Sequence, residues 1–343
     1  MPREREITQP IALTTADGRL NPDAIGWTRR PLHDTTSLTR PGWRQHPRAV
    51  LEHLPPRWGR TKRWEYWAIT TDTHVVALTI SDIDYAGVNA LFVLDRRTGE
   101  QISAEAITPF GRGVTLPTGS SGGHARFTGR NLSLEATDSL EGTRLRAQSP
   151  RVRLDAEVPL PPGHERLGVV VPWSPTRFQY TIKDVARPAT GTLWVDGTQY
   201  PLREGRTWAT LDHGRGRWPY RIAWNWGAGS GRIDGQVIGL QIGGRWTDGT
   251  GSTENALVID GSLTKISDDV RWTYDLGNWQ EPWRVEGGDV DLTFRPEHLR
   301  EASTQLGVLA SRTSQCFGTW SGRVGDQRID DLYGWAEDVA QRW

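Results

Sequence analysis

Along most of the chain apolar and polar residues alternate with a period of two, in segments of four to eight residues separated by glycine, proline and Asp-Gly pairs. In YRIAWNW, the even positions carry Tyr220, Ile222, Trp224 and Trp226, and the odd ones Arg221, Ala223 and Asn225. A strand sends two such sets to opposite faces. In QVIGLQIGGRW, Ile238, Leu240, Ile242 and Trp246 fall on one face, with Gly239, Gln241 and Gly243 on the other. Asp234-Gly235 between these runs, and Asp196-Gly197 further upstream, predict hairpin turns, because type I′ turns need positive φ at both central positions. Residues 204–262 therefore read as a β-meander with one aromatic face and ionisable groups near its strand ends.

The same period runs through RWEYWAITT, HVVALTISDIDYAG and NALFVLDRRTGE, and it continues past a loop at 111–124 into RVRLDAEVPL. There Val152, Leu154, Ala156 and Val158 share a face. Helical signals are few. A short helix is predicted at His46–His53, with Pro47 in its first turn. EHLREASTQLGVL is a second candidate, and DDLYGWAEDVAQRW reads as a last strand or one helical turn. The pattern predicts an all-β fold of many antiparallel strands in meanders or barrels, with little helix. A chain of 343 residues is long for one core and predicts two units. The first, 1–200, carries an extended N-terminal arm and an irregular insertion at 31–63; the second is 201–343.

Composition narrows the function classes. Lysine plus arginine and aspartate plus glutamate both number 41, which argues against a nucleic-acid binder dependent on clustered positive charge. The single cysteine, Cys316, excludes an internal disulfide and a cysteine-rich metal site. MPREREITQP lacks the apolar core of a secretory signal, and no apolar run reaches bilayer length, so a soluble cytoplasmic protein without stable membrane insertion is expected. The oligomeric state is not legible. Arg40, Arg44, Arg48, Arg57, Arg60, Lys62 and Arg63, with Trp43 and Trp58, make 40–63 locally basic; a solvated surface insertion is expected there, with an anionic-ligand site as the alternative. The 18 tryptophans against six phenylalanines suit large cores, sugar platforms and mouths of apolar pockets alike.

No P-loop or H-E-x-x-H is present, so a phosphate cradle or zinc site has no motif, and no metal is expected. Asp212 and His213 are candidate acid/base residues beside Arg215 and Arg217; a capping aspartate next to a satisfied histidine is the bland alternative. Glu254 opens the apolar strand ALVI and is the preferred single acid. With Asp248 it would form a pair suited to glycoside chemistry, unless both sit in an exposed loop. Tyr180 shares a face with Phe178 and Ile182, opposite Lys183, and is a candidate cavity wall. Trp208, Trp224, Asn225, Trp226, Trp246 and Arg215 complete the candidate binding set. Asp82 and Asp84 read as structural.

GWTRRPLHD, GRTKRWEYWAIT, LGVVVPWSPTRFQYTIKDVARPATGTLWVDG, LDHGRGRWPYRIAWNWGAGSG, GGRWTDGTGSTENALVIDG and QCFGTWSG together resemble the bacterial domain of unknown function 2804 family over nearly the whole chain. More distantly, the order RFQYTI, GTLWVDG, W-x-x-L-D-H, WNW, IGLQIG is similar to the AttH and carotenoid-hydratase group, whose architecture the fungal Diels–Alderase-like cyclases share. That resemblance implies two consecutive lipocalin-like β-barrels with a ligand cavity in or between them, and no metal or organic cofactor. The chain departs from the group where His213 is followed by Gly214, Arg215 and Gly216 rather than x-Trp-Gly. It departs again where Asn225 replaces an acid between the paired tryptophans, so a mechanism needing an acid there does not carry over. The resulting expectation is a cofactor-independent lyase or isomerase acting on a lipophilic, isoprenoid- or polyketide-like small molecule in a Trp-lined cavity. A non-catalytic binder of an apolar small molecule and a carbohydrate-binding or carbohydrate-cleaving β protein are the alternatives.

Overall fold

The period-two pattern is realised as three large antiparallel sheets in a computed structural model that describes residues 4–38, 59–306 and 309–342. A seven-stranded sheet runs from Val114–Thr115 to Thr198–Leu202. Its strands alternate cleanly: Val152, Leu154, Ala156 and Val158 are buried while Arg153, Glu157 and Pro159 are exposed. One face of this sheet meets water, as antiparallel sheets allow.

Its other face packs on an eight-stranded sheet in the order Trp27–Thr28, Leu167–Ser174, Arg177–Pro188, Trp208–Arg217, Thr61–Thr70, His74–Asp82, Ala86–Asp95, Gln101–Pro109. Trp67, Ile69, Leu78, Leu91, Phe127, Leu154 and Leu211 form the core between them. The second face of the eight-stranded sheet is covered by a nine-stranded sheet spanning Arg221–Ile233 to Gln327–Arg342. Ala68, Val75, Phe92, Val169 and Val185 from one side meet Trp226, Ala256, Val258, Phe317 and Trp335 from the other. The nine-stranded sheet in turn encloses its own core of Ile238, Leu240, Ile242, Trp283, Phe294 and Trp320. The eight-stranded sheet is thus buried on both faces, and its polar residues must find partners inside the protein.

Both predicted hairpin turns form, with positive φ at Asp196, Gly197, Asp234 and Gly235. Two expectations are corrected. EHLREASTQLGVL is no helix, because most of it lies within the 17-residue strand Val290–Leu306, which pairs residue by residue with Leu309–Val324; the long ladder overrides local helix propensity. Of the two readings of the chain end, the last strand is the one found, Gln327–Arg342. Lys62 and Arg63 do not belong to a solvated insertion: the strand starts at Thr61 and both are buried, Arg63 lying 2.7 Å from Asp84 and 3.2 Å from Asp82. That pairing gives the two aspartates their structural role. The predicted helix at His46–His53, the tryptophans Trp43 and Trp58, and Arg40, Arg44, Arg48 and Arg57 lie outside the described residues. The only helical turns among the described residues are the 3₁₀ segments Pro22–Ala24 and Thr36–Leu38, and no helix there is long and apolar enough to cross a membrane.

Residues 4–38 lie across one end of the eight-stranded sheet, where Leu13, Leu20, Ala24 and Leu38 cover Val170, Phe178, Tyr180 and Ile182. Glu4 reaches further, to Lys265 at 2.7 Å and to the backbone of Thr253, so the arm also ties down the segment that presents Glu254.

Candidate active site between the two sheets

Directly opposed residues on paired strands share a face, and this places the site. Asp212 lies opposite Tyr66 on one neighbouring strand and Lys183 on the other. On the facing sheet Glu337 lies opposite Trp226 and Gln315. These two rows meet across the inter-sheet core, and Glu254, at the start of Asn255–Ile259, joins them from the side.

Lys183 Nζ sits 3.1 Å from Asp212 Oδ1 and 3.1 Å from Glu254 Oε2, and 4.2 Å from the centre of the Trp226 ring. Asp212 also accepts from Thr181 Oγ1 at 3.0 Å and Trp64 Nε1 at 3.1 Å. Trp246 Nε1 donates to Glu254 Oε1 at 2.6 Å. Trp224 Nε1 donates to Glu337 Oε1 at 2.9 Å, and Gln315 Nε2 to Glu337 Oε2 at 2.9 Å. Each of the three acids therefore receives an indole N–H. The rings behind those donors pack on one another: Trp218 stacks on Trp246 at 6.0 Å and meets Trp64, Trp173 and Trp224 edge-on. Trp64, Trp173 and Trp224 are half-buried, so this aromatic cluster reaches the surface at one edge.

Two absent side chains make the arrangement fit. A Cβ at Gly214 would lie 2.2 Å from the Trp64 ring, and one at Gly243 would lie 1.9 Å from the Glu254 carboxylate.

Burial is the dominant electrostatic influence. It pushes the Glu337 carboxyl up to about 7, with the Trp224 hydrogen bond and the Lys183 charge opposing it. It also raises Glu254, outweighing Lys183 and Trp246. Burial acts to lower Lys183, but the Asp212 and Glu254 charges win and hold the ammonium above its ordinary value. One lysine thus faces three carboxyls, two of which resist ionisation. Around them, Tyr66 Oη, Gln241 Nε2 and Trp335 Nε1 are buried and find no hydrogen-bond partner among the described residues. The Tyr66, Trp226 and Trp335 rings lie within 6.3 Å of one another, and Trp226 Nε1 donates to Gln241 Oε1, so the three orphans belong to one neighbourhood. Buried polar groups left unpaired in a native protein call for a water or a ligand.

The Glu337 shift has a consequence for stability. Its folded pKa of about 7 stands above the ordinary 4.5, so the folded state holds the proton more tightly than the unfolded one. The stabilisation is complete below pH 4.5 and is lost as pH rises through 7, amounting to about 3 kcal/mol. Denaturant unfolding of wild type and Glu337→Gln between pH 5 and 8 should show the wild type losing that much relative to the variant. Parallel curves would place the proton elsewhere.

The structure distributes the sequence candidates over several surroundings. Asp212, Glu254, Trp224, Trp226 and Trp246 come together between the sheets. Trp208 faces the same way at the far end, beside Arg232. His213 does not pair with Asp212, because the two are neighbours in mid-strand and point to opposite faces. His213 Nδ1 instead meets Glu65 Oε1 at 2.7 Å, with Arg215 Nη2 at 2.9 Å from the same oxygen, and burial together with Arg215 holds the imidazole below its ordinary value. Tyr180 is buried on that face too, under the N-terminal arm and 4.6 Å from the His33 ring. Asn225 faces away from the acids, toward Tyr274. Trp246 leaves the face of Ile238, Leu240 and Ile242 because the strand ends at Gly244 and Arg245 adopts φ 69°, which turns the chain over. Asp248 does not join Glu254; it is exposed and accepts from the Arg245 backbone at 3.0 Å. Sequence reasoning missed Glu337, Lys183 and Tyr66 as members of the site.

A lipocalin-like all-β protein, with its acids and indoles gathered where two sheets meet, is the class this fold and site define. The chain belongs to the family described as domain of unknown function (DUF2804), which matches residues 4–343. No curated protein matches it in sequence. Among solved structures it is similar to CghA with Sch210972, at 12% identity and TM-score 0.56, covering 83% of this chain and 88% of that one. It is also similar to an AttH-type protein from Nitrosomonas europaea, at 14% and 0.52, covering 81% and 92%. Kievitone hydratase from Nectria haematococca is similar at 14% and 0.50, covering 86% and 92%. At these identities the likeness is one of fold.

Proposed function

We propose that the protein is an enzyme that protonates a carbon–carbon double bond of a lipophilic, isoprenoid- or polyketide-like small molecule, leading to hydration, isomerisation or ring closure. The observation that carries this reading is Glu337, a buried carboxyl whose pKa of about 7 keeps much of it protonated at neutral pH, where an ordinary glutamate would have no proton to give. The alkene's π electrons would take that proton, forming a C–H bond and leaving a carbocation. Nearby indole faces favour such a cation without reacting as bases. Water then adds through oxygen, and its surplus proton passes to the Asp212 carboxylate beside Lys183 or back to Glu337, which regains the proton it gave. Loss of a neighbouring proton to the same groups gives the isomer, and attack by a second double bond closes a ring and moves the cation, which then loses a proton to the same groups. His213 and Arg215, on the opposite face, would serve by fixing the strand that carries Asp212. Kievitone hydratase and CghA, on the same fold, lend support at the level of architecture.

The test is native mass spectrometry after incubation with a cellular lipid extract, followed by turnover of the retained compound in D₂O. A retained lipophile that gains deuterium at carbon, with the gain lost in Glu337→Gln, is the expected result. A lipophile released unchanged would make the protein a binder, and retention of none would remove both readings.

A further inference from the structure

On the other side of the nine-stranded sheet a cleft of about 510 Å³ opens beside Asn225, Trp272 and Tyr274. We propose that this cleft is a second binding site, independent of the inter-sheet acids, and that it takes a neutral polyhydroxylated ring of the monosaccharide class.

Asn225 is only 1% exposed. Its Nδ2 lies 2.9 Å from Tyr274 Oη and 3.2 Å from the Glu337 carbonyl oxygen. The Tyr274 hydroxyl spends its own proton on Asp338 Oδ2 at 2.6 Å, so it can only accept from Asn225, and the carbonyl can only accept as well. Both contacts demand the amide NH₂, which fixes the side chain's orientation and leaves Oδ1 as a buried acceptor with no partner among the described residues. Trp272 Nε1, in the same lining, is a buried donor likewise without a partner there. A guest must therefore both donate and accept, as a hydroxylated ring does.

Charge narrows the class further. Arg245 and Arg271 stand against Asp248, Asp269 and Glu286 in the lining. Arg245 is already paired with Asp338, and Arg271 lies 3.5 Å from Glu286. An anion would meet surplus carboxylates and offer Asn225 nothing, whereas an ammonium would leave the Trp272 donor unpaired. A neutral sugar ring answers both orphans and can lie against the aromatic surface of Trp272 and Tyr274. The volume falls within the range of small-molecule sites.

Saturation-transfer NMR with methyl β-glucopyranoside and methyl β-galactopyranoside, each compared with inorganic phosphate and putrescine, tests this. At least one glycoside should receive saturation and the two ions should not. Trp272→Phe keeps the ring but loses the N–H, and it should weaken binding by about fivefold or more, as should Asn225→Leu. Near-ultraviolet circular dichroism checks that each variant is folded, and Trp272→Phe carries the test should Asn225→Leu fail to fold. Glu337→Gln should bind the glycoside as wild type does, so failure here and failure of the inter-sheet enzyme are told apart. No response to either glycoside, a stronger response to phosphate or putrescine, or binding indifferent to Trp272→Phe would each overturn the assignment.

Discussion

Glu337→Gln should lower turnover by about 10²–10⁴-fold while leaving KM nearly unchanged, the range ascribed to a positioned proton donor. The amide has the carboxyl's shape but no acidic proton. It can still accept from Trp224, and Gln315 can rotate to meet the new NH₂ because its own Oε1 is held only by a 3.3 Å contact from Arg300. Binding should therefore survive where chemistry does not. The wild-type pH profile carries a second signature. The active form is the protonated one, so kcat should be flat on the acid side and fall about tenfold per pH unit above 7, the value to which burial pushes this carboxyl. In Glu337→Asp the acid returns one methylene short, and part of the rate should return with it. Retention of more than a tenth of the activity in Glu337→Gln would move the donor role to Glu254, the other acid that burial raises.

How much of this was legible follows from how many faces of each sheet are covered. In RVRLDAEV one face is wet, so polarity alone sorts the side chains, and the alternation is read correctly. The turns at Asp196-Gly197 and Asp234-Gly235 were equally readable, since few residues but these tolerate their φ values. The eight-stranded sheet removes that contrast. In TKRWEYWAIT, Arg63 and Glu65 enter one core while Trp64 and Tyr66 enter the other, and a hydropathy pattern does not distinguish two insides. The same ambiguity hid which core each of Asp212 and His213 enters, since a strand in its middle sends neighbours to opposite faces.

Glu337 did leave a signal. Tyr333, Trp335 and Glu337 have the same parity in DDLYGWAEDVAQRW, so on a strand the acid shares a face with two aromatics. Only the alternative reading of that segment as a helical turn hid it. Lys183 was visible as the residue opposite Tyr180, but its two carboxylate partners are 29 and 71 positions away in sequence and come from different sheets. No local pattern encodes such a meeting.

That long-range convergence sets the second large effect. Lys183→Met should destabilise the protein by about 3–5 kcal/mol at pH 8, the usual result of stripping a buried ion cluster of one partner. Methionine roughly preserves the apolar stem against Trp226, so packing is a minor part of the loss. The cost comes from the Asp212 and Glu254 side chains, 14% and 1% exposed, which keep their desolvation without their cation. Lowering the pH lets the stranded carboxyls take up protons, so the deficit should shrink markedly by pH 5, whereas the deficit from a simple cavity would not change with pH. Adding Glu254→Gln to Lys183→Met should restore more than half of the lost stability at pH 8, because the pair is coupled rather than additive. Denaturant unfolding of the single and double variants at both pH values measures all three quantities. A loss below about 1 kcal/mol at pH 8, or one that does not vary with pH, would mean that Lys183 does not hold the acids together.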